Sequence, residues 1–484
     1  MLDYAVVGGG IGGVLASSLL SHMGKDVILF EALDYLGGCA GTFEKEGFYY
    51  NVGAATFVGA EEHLPVGKIA KLLKVDLPIK PIDPAMVVHI GDKRINRWRD
   101  KDRSLEEIEG AFPGIFHKGF WRRVYEVSES MWNIWCYTLP YPSPLSPFRA
   151  FFHKPLNFLS TLFCNFFSAK RVAKAYLGPF NSSYELFLNH HTLITAQGFM
   201  DKVPFSVASL GLTYPNLTNY YVVGGMGRLL ESFAKEVKNL SLRTKVKKIV
   251  KKPWGFVLYT NRGTYEAKRL ILNTTLWKAG DLIEDLRAFS QKAKETYKEL
   301  WGAFTIYMTV QGQIPQDIKH HHLILLEKPI PYTGSRSLFL SLSEEEDPIL
   351  SKEKTRSITI STHTRLELWE NLTKEEYLER KEKALEYCLE VLYKHLPSLK
   401  NLKKIKVFAG TPKTFERYTG RYRGSVGGIP IIKDYFPFSY PSPLTPLNNL
   451  YLVGDTVFPG QGWPGVSMGV INLLKFIEKD FKVC

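Results

Sequence analysis

Cysteine is scarce in this chain, five in 484 residues. Cys39, Cys136, Cys164, Cys388 and Cys484 are odd in number, far apart and free of any C-x-x-C pair, which excludes a disulfide framework and a zinc site as organising devices. Long apolar runs are missing too. The best, Leu156 to Ala169, is broken by Asn157, Ser160, Thr161 and Asn165 and falls short of the roughly 18 residues that a spanning helix needs. No opening stretch has a basic flank, an apolar core and a small-residue cleavage site; Met1 leads almost directly into the first predicted strand, so a cytoplasmic location is expected. Repeats and low-complexity tracts are absent. The adjacent histidines His190-His191 and His320-His321-His322 lack the i, i+3 or i, i+4 spacing and the in-register carboxylate of a metal site. A helix surface and a solvated loop are expected there, and no metal.

Acidic residues are absent from Ser130 to Tyr184. In that stretch Trp132, Trp135, Tyr137, Tyr141, Phe148, Phe151, Phe152, Phe158, Phe163, Phe166 and Phe167 interleave with Arg149, Lys154, Lys170, Arg171 and Lys174. Short helices of this composition lie in a membrane interface, aromatics dipping and cations meeting headgroups; the other reading is an aromatic inner wall. The first is carried forward, so peripheral membrane association is expected. The formal charge of +14 is concentrated in part at Lys245, Lys247, Lys248, Lys251 and Lys252, a solvated face or a second attraction to anionic lipid. No nucleic-acid motif accompanies it.

Glycine carries the clearest signal. Leu2 to Val7 reads as a strand, and Ile11, Val14, Leu15, Leu19, Leu20 and Met23 recur at helical spacing up to Gly24. Gly8-Gly9-Gly10-Ile11-Gly12-Gly13 therefore sits on a strand-to-helix turn. Gly8 permits the turn, Gly10 lets backbone approach a pyrophosphate, and Gly13 lets the helix pack on the strand. A second strand ends at Glu31, about 20 residues on, the place of an acid that accepts from a ribose hydroxyl. A second glycine pair, Gly37-Gly38, follows in Ala32-Leu33-Asp34-Tyr35-Leu36-Gly37-Gly38-Cys39-Ala40-Gly41-Thr42 and points to FAD. At the far end Gly454-Asp455 and Pro459-Gly460-Gln461-Gly462-Trp463-Pro464-Gly465 lie between a strand, Leu450 to Val453, and a helix, Val466 to Phe476.

These blocks, with Gly47-Phe48, Asn51-Val52-Gly53, Val223-Gly224-Gly225-Met226-Gly227-Arg228 and Thr411-Pro412 through Arg417-Tyr418 to Gly424-Ser425, resemble the carotenoid desaturase and isomerase family, the phytoene desaturase-like branch of flavin amine oxidases. Gly37 to Thr42 and Trp98-Arg99-Asp100 look most like carotenoid 3,4-desaturases; Gly454-Asp455-Thr456 with Phe458 to Gly462 is equally similar to cis-trans isomerases. Amine oxidases place arginines around the second glycine pair, where Tyr35 and Cys39 stand here. The resemblance implies FAD held by Gly8, Gly10, Ile11, Gly12, Gly13, Glu31, Ala32, Gly38, Cys39, Val246, Gly454, Asp455, Gly465, Val466 and Ser467. Val246 backbone would meet the adenine, Asp455 the ribityl hydroxyls, and N–H groups near Val466 and Ser467 the flavin pyrimidine edge. Covalent attachment at Cys39 is not expected, and no catalytic residue is assigned, although Glu416 and Tyr418 are candidate bases.

The fold expected is α/β, α+β overall: a Rossmann-like FAD-binding domain in three parts, residues 1–76, 220–285 and 415–484, interleaved with a helical, aromatic insertion over 77–219 and a substrate domain over 286–414. Strands near Phe304 to Val310, His322 to Leu326, Leu338 to Leu342 and Ser357 to Ser361 alternate as one antiparallel sheet flooring a substrate cavity. The function expected is an FAD-dependent desaturase that takes hydride from a carotenoid or another long apolar polyene. The alternatives are a redox-neutral isomerase using reduced FAD, a non-catalytic prenyl or lipid carrier of the same fold, and an amine oxidase. The oligomeric state is left open.

Overall fold

A computed structural model of the chain describes residues 1–53, 55–137, 145–436 and 439–483. Tyr141 and Cys484, named above, lie outside the described residues. Leu2–Val7 forms the strand expected of it, with Tyr4, Ala5 and Val6 buried. It pairs in parallel with Val27–Phe30 on one side and with Thr264–Leu272 on the other, and a strand covered on both faces needs apolar residues at successive positions. Leu450–Leu452 also pairs in parallel with Thr264–Leu272, so the chain's last strand lies one strand away from its first. Val246–Lys252 and Gly255–Thr260 extend this sheet antiparallel, and Asn239–Ser241 closes its other edge. The helices Ile11–His22 and Gly462–Ile477 touch on one face of it.

A second, eight-stranded sheet is centred on Trp301–Gln311, which pairs antiparallel with Thr355–Arg365 and Lys403–Gly410. Ser337–Leu342 and His321–Leu325 continue it. Its four predicted strands are all present. Period-2 alternation sends Phe304, Ile306, Met308, Leu338, Leu340, Ile358 and Ile360 into a core beneath the helix Lys374–His395. The other face looks into a cavity.

The region from residue 77, expected to be mostly helical, opens instead with strands Ile79–Ile82, Met86–Ile90 and Lys93–Arg97. Met86-Val87-Val88-His89-Ile90 is a short continuous apolar run, which periodicity alone does not assign; its parallel pairing with His321–Leu325 decides it. Trp98-Arg99-Asp100 is a helix start, with Asp100 accepting from the Arg103 N–H at 2.8 Å. From there to Asn216 the described residues are chiefly helical. No helix among them is long and apolar enough to cross a membrane.

Two further expectations are corrected. The histidine pairs are not solvated: His190, His191, His321 and His322 are buried. Burial pushes His190, His321 and His322 down to about 3, so they are neutral at physiological pH. His89 and His322 share a hydrogen bond at 2.9 Å, and no group of three or more metal-ligating side chains occurs among the described residues. Cys136 is disulfide-bonded, which its wide spacing from the other cysteines had not suggested.

Both ends of the chain meet again at Glu478, just past the last helix. It accepts from Tyr4 of the first strand, from Arg269 at 2.6 Å and from Lys25 at 2.8 Å. Burial pushes the Glu478 carboxyl up, but the bonds from Lys25 and Tyr4 and the nearby Arg269 outweigh it and hold it below its ordinary value. A depressed carboxylate adds stability above its unfolded pKa and loses it as pH falls through the folded one. Glu478→Gln should therefore cost about 1–3 kcal/mol at pH 7 in urea unfolding. That difference from wild type should shrink as the pH is lowered below the ordinary carboxylate range.

Candidate active site

The first glycine loop is built by close approach. Gly8 has φ +103°, and a Cβ there would stand 2.8 Å from the Asn273 carbonyl; one on Gly13 would stand 2.0 Å from the Gly8 carbonyl. Gly13 thus seats helix on strand and does not line the cavity. A Cβ on Gly10 would meet Asn273 Nδ2 at 2.7 Å, and one on Gly12 would meet Gly454 N at 3.0 Å. The motifs from the two ends of the chain are therefore in contact across Asn273. That residue donates from Nδ2 to the Gly8 carbonyl at 3.2 Å. Asn273 was not singled out in the sequence, since its partners lie far away in the chain.

Glu31 accepts from the N–H of Gly9 at 2.7 Å and of Leu33 at 2.8 Å. Burial raises its carboxyl while these bonds act against the rise. Ala32 lines the cavity beside it. The second glycine pair folds back as a turn, Gly37 donating to the Gly9 carbonyl at 2.8 Å, and Gly38 to Ala40 form a single 3-10 turn. Cys39 lies in that turn, its thiol pushed up by burial. Val246 sits where the register of its strand shifts, a bulge that turns it, with Lys245 and Lys247, toward the same cavity.

At the other end Asp455 is held by Arg421, with Nη1 to Oδ1 at 3.1 Å and Nη2 to Oδ2 at 3.0 Å. Arg421 lies inside a block noted in the sequence, but nothing in its spacing marked it as the partner of a residue 34 positions on. The last helix starts at Gly462, four residues before Val466. Gly465 and Val466 still line the cavity. Val466 and Ser467 fall in the second turn, where N–H groups are taken up by the helix itself. The donors left free by the helix start belong to Gly462 and Trp463. Among the described residues Ser467 Oγ and Thr275 Oγ1 are buried with no hydrogen-bond partner; Thr275 lines the cavity and Ser467 does not.

One cavity of about 1540 Å³ joins all of this. It exceeds the roughly 300–1,000 Å³ of an ordinary small-molecule site, leaving room for a dinucleotide and a second long ligand. The residues fit FAD: a glycine cradle that any Cβ would fill, a backbone-locked acid at the first strand pair, and, among the described residues, an unpartnered Thr275 hydroxyl in the lining. Beyond Gly462 the cavity is walled by Trp132, Trp135, Phe158 and Phe166 and by the sheet residues Ala303, Thr305, Ser361 and His363. Phe148, Phe152, Leu156 and Phe163 of the same helical stretch point outward and are exposed. Its aromatics thus serve both as inner wall and as outer surface. Arg417 and Tyr418 reach the cavity and Glu416 does not.

Two changes test this assembly. Gly10→Ala places a methyl against Asn273 Nδ2 and should abolish measurable FAD binding in a fluorescence titration. Asp455→Asn leaves the Arg421 cation in a buried site without its counter-charge and should weaken FAD binding about tenfold or more.

A family model for flavin containing amine oxidoreductases matches residues 11–469. Prolycopene isomerase 2 of an Oncidium hybrid cultivar is 30% identical over 99% of this chain and 84% of its own length. The 1-hydroxycarotenoid 3,4-desaturase of a Flavobacterium is 23% identical over 96% of each chain. Putrescine oxidase bound to putrescine superposes with a TM-score of 0.65 at 14% identity, covering 98% of this chain and 99% of that one, a likeness of fold alone. The chain belongs to the flavin containing amine oxidoreductase family, within its carotenoid desaturase and isomerase branch, and is an FAD-dependent oxidoreductase.

Proposed function

We propose that this chain is a carotenoid cis-trans isomerase that works with reduced FAD at a membrane surface. The observation that carries the reaction type is the state of the cavity's carboxylates. Glu31 is bonded by two backbone N–H groups, Asp455 by Arg421, and Asp281 by Lys278 at 3.3 Å; among the described lining residues no other acid occurs. Among the described lining residues the one imidazole, His363, is pushed down to about 4 by burial and is a weak base. A net desaturation must dispose of a proton, and these walls offer no free carboxylate to take it. Rotation about a double bond releases none. The identity to the Oncidium prolycopene isomerase over nearly the whole chain supports the same choice.

Bound FAD supplies a reversible electron donor beside the polyene. The protein's own part is to hold and to exclude. Gly12 and Gly454 fix the cofactor's channel, Arg421 pairs with Asp455 and orients it, and Trp132, Trp135, Phe158 and Phe166 form an aromatic wall for an apolar chain. Desaturation is the second reading, favoured by the likeness to the 3,4-desaturase over 96% of the chain. A carrier role and amine oxidation are supported less. The glycine cradle and the locked Glu31 are intact, and a carrier needs neither. The cavity also lacks a free carboxylate with which to hold an ammonium group.

Membrane docking is proposed on the outward face of the aromatic stretch. Phe152 and Leu156 are 75% and 81% exposed, beside Arg149, Lys154 and Arg171, in a region without acids.

Purified protein given a poly-cis and an all-trans carotene should convert only the first, with reduced flavin and without net oxidation. Lengthening of the chromophore in the presence of oxidised flavin alone would instead establish the desaturase. In sedimentation with anionic vesicles, Phe152→Ser with Leu156→Ser should lower the bound fraction at least tenfold, given about 1.5–3 kcal/mol for each large apolar side chain. Added salt should weaken the wild type further through its cations.

A further inference from the structure

Some residues that line the cavity are also exposed, and each marks an opening. Phe166 is one, beside the exposed Phe163 and Phe167 of the aromatic stretch. Arg417 and Tyr418 mark a second. Lys245, Lys247 and Asp281 mark a third, close to the lining residues Glu31, Ala32 and Thr244.

At the third opening the lysine-rich strand noted in the sequence meets the cavity. Successive side chains of a regular strand alternate between its faces, so Lys245, Val246 and Lys247 would not all share one. The register shift between Val246 and Lys248 leaves Lys247 without a cross-strand partner and brings all three residues to the lining. Lys248, Lys251 and Lys252 are exposed and do not line the cavity.

This rim is positively charged. Asp281 pairs with Lys278 at 3.3 Å, and Glu31 is held by two backbone N–H groups. No ion pair among the described residues engages Lys245 or Lys247. Unpaired cations at the mouth of a cleft focus the field into it and raise the local concentration of an anion. The glycine cradle behind the rim fits the pyrophosphate of FAD, a dianion. The other two openings suit that cargo less. The one at Phe166 is walled by aromatic carbon, where an ion sheds its hydration without compensation. The one at Arg417 offers a single cation, laid over the Tyr418 ring at 5.5 Å.

We propose that FAD enters through the rim formed by Lys245 and Lys247, whose side chains draw the pyrophosphate in and then hand it to backbone N–H groups at the start of the first helix. The two lysines are entry residues and not part of the seat. This rests on FAD binding alone and is independent of the reaction carried out on the polyene.

The full chain, stripped of flavin, is mixed rapidly with FAD and followed by the change in flavin fluorescence, with dissociation followed separately on dilution. In about 0.1 M salt, Lys245→Gln with Lys247→Gln should slow association about tenfold and leave dissociation within about twofold of wild type. Lys251→Gln with Lys252→Gln removes the same charge about 13 Å or more along the strand from Lys247. That lies beyond the screening length of about 10 Å, so association should stay close to wild type. In about 1 M salt the difference between the first pair and wild type should close. Wild type alone gives an independent reading if a variant does not fold, because its association rate should fall steeply with added salt. A salt-insensitive rate in wild type, equal slowing by the two pairs, or slowing by Arg417→Gln in place of the lysine pair overturns the entry assignment and leaves FAD binding standing. Faster dissociation with unchanged association also overturns it, making the lysines part of the seat. A wild-type chain that takes up no FAD overturns both.

Discussion

The approach of Gly12 to the Gly454 backbone, across the Asn273 side chain, fixes the position of every other wall of the cavity. Parallel strands bring this about: Leu2–Val7, Thr264–Leu272 and Leu450–Leu452 run side by side, so their carboxyl ends and the loops that follow them open at one edge. Glycine is required there because three backbones and one amide converge within van der Waals reach. The Tyr4, Arg269, Lys25 and Glu478 cluster ties the first two of these strands to the end of the last helix. The last helix is thus tied to the sheet at its carboxyl end as well as packed on the first helix.

That geometry explains why so much of the cofactor half was legible in the sequence. Gly8, Gly10, Gly12, Gly13 and Glu31 are read from local spacing, since strand, turn and helix lie within one short segment. Asn273 and Arg421 were not, because each acts on residues far away in the chain and carries no local pattern. The strand Met86–Ile90 was missed for the same reason: its partner, His321–Leu325, is more than 200 residues on. The start of the last helix was misplaced by four residues, since Gly-Trp-Pro-Gly reads as a breaker. Pro464 is tolerated because it sits in the first turn, where its missing N–H leaves no bond unmade.

The aromatic stretch illustrates a different limit. Composition and the lack of acid single it out, but an inner wall and an outer surface demand the same residue types. Only the helix packing separates them, sending Phe158 and Phe166 to the cavity and Phe152 and Leu156 outward. Histidine was misjudged for a related reason. Adjacent polar residues look solvated in a sequence, yet a strand turns successive side chains to opposite faces of a sheet that is covered on both, and His321 and His322 are buried as neutral rings.

Burial of neutral imidazoles also bears on how the cavity can work. An ionised group in an apolar channel must be paired or solvated by water. The cavity avoids this in two ways. Its acids are engaged before any ligand arrives, Asp455 by Arg421 and Glu31 by backbone, so neither draws water toward the ring. Its remaining polar groups, His363 and the Gln197 amide, are neutral and lie on the sheet and helix that floor the far side.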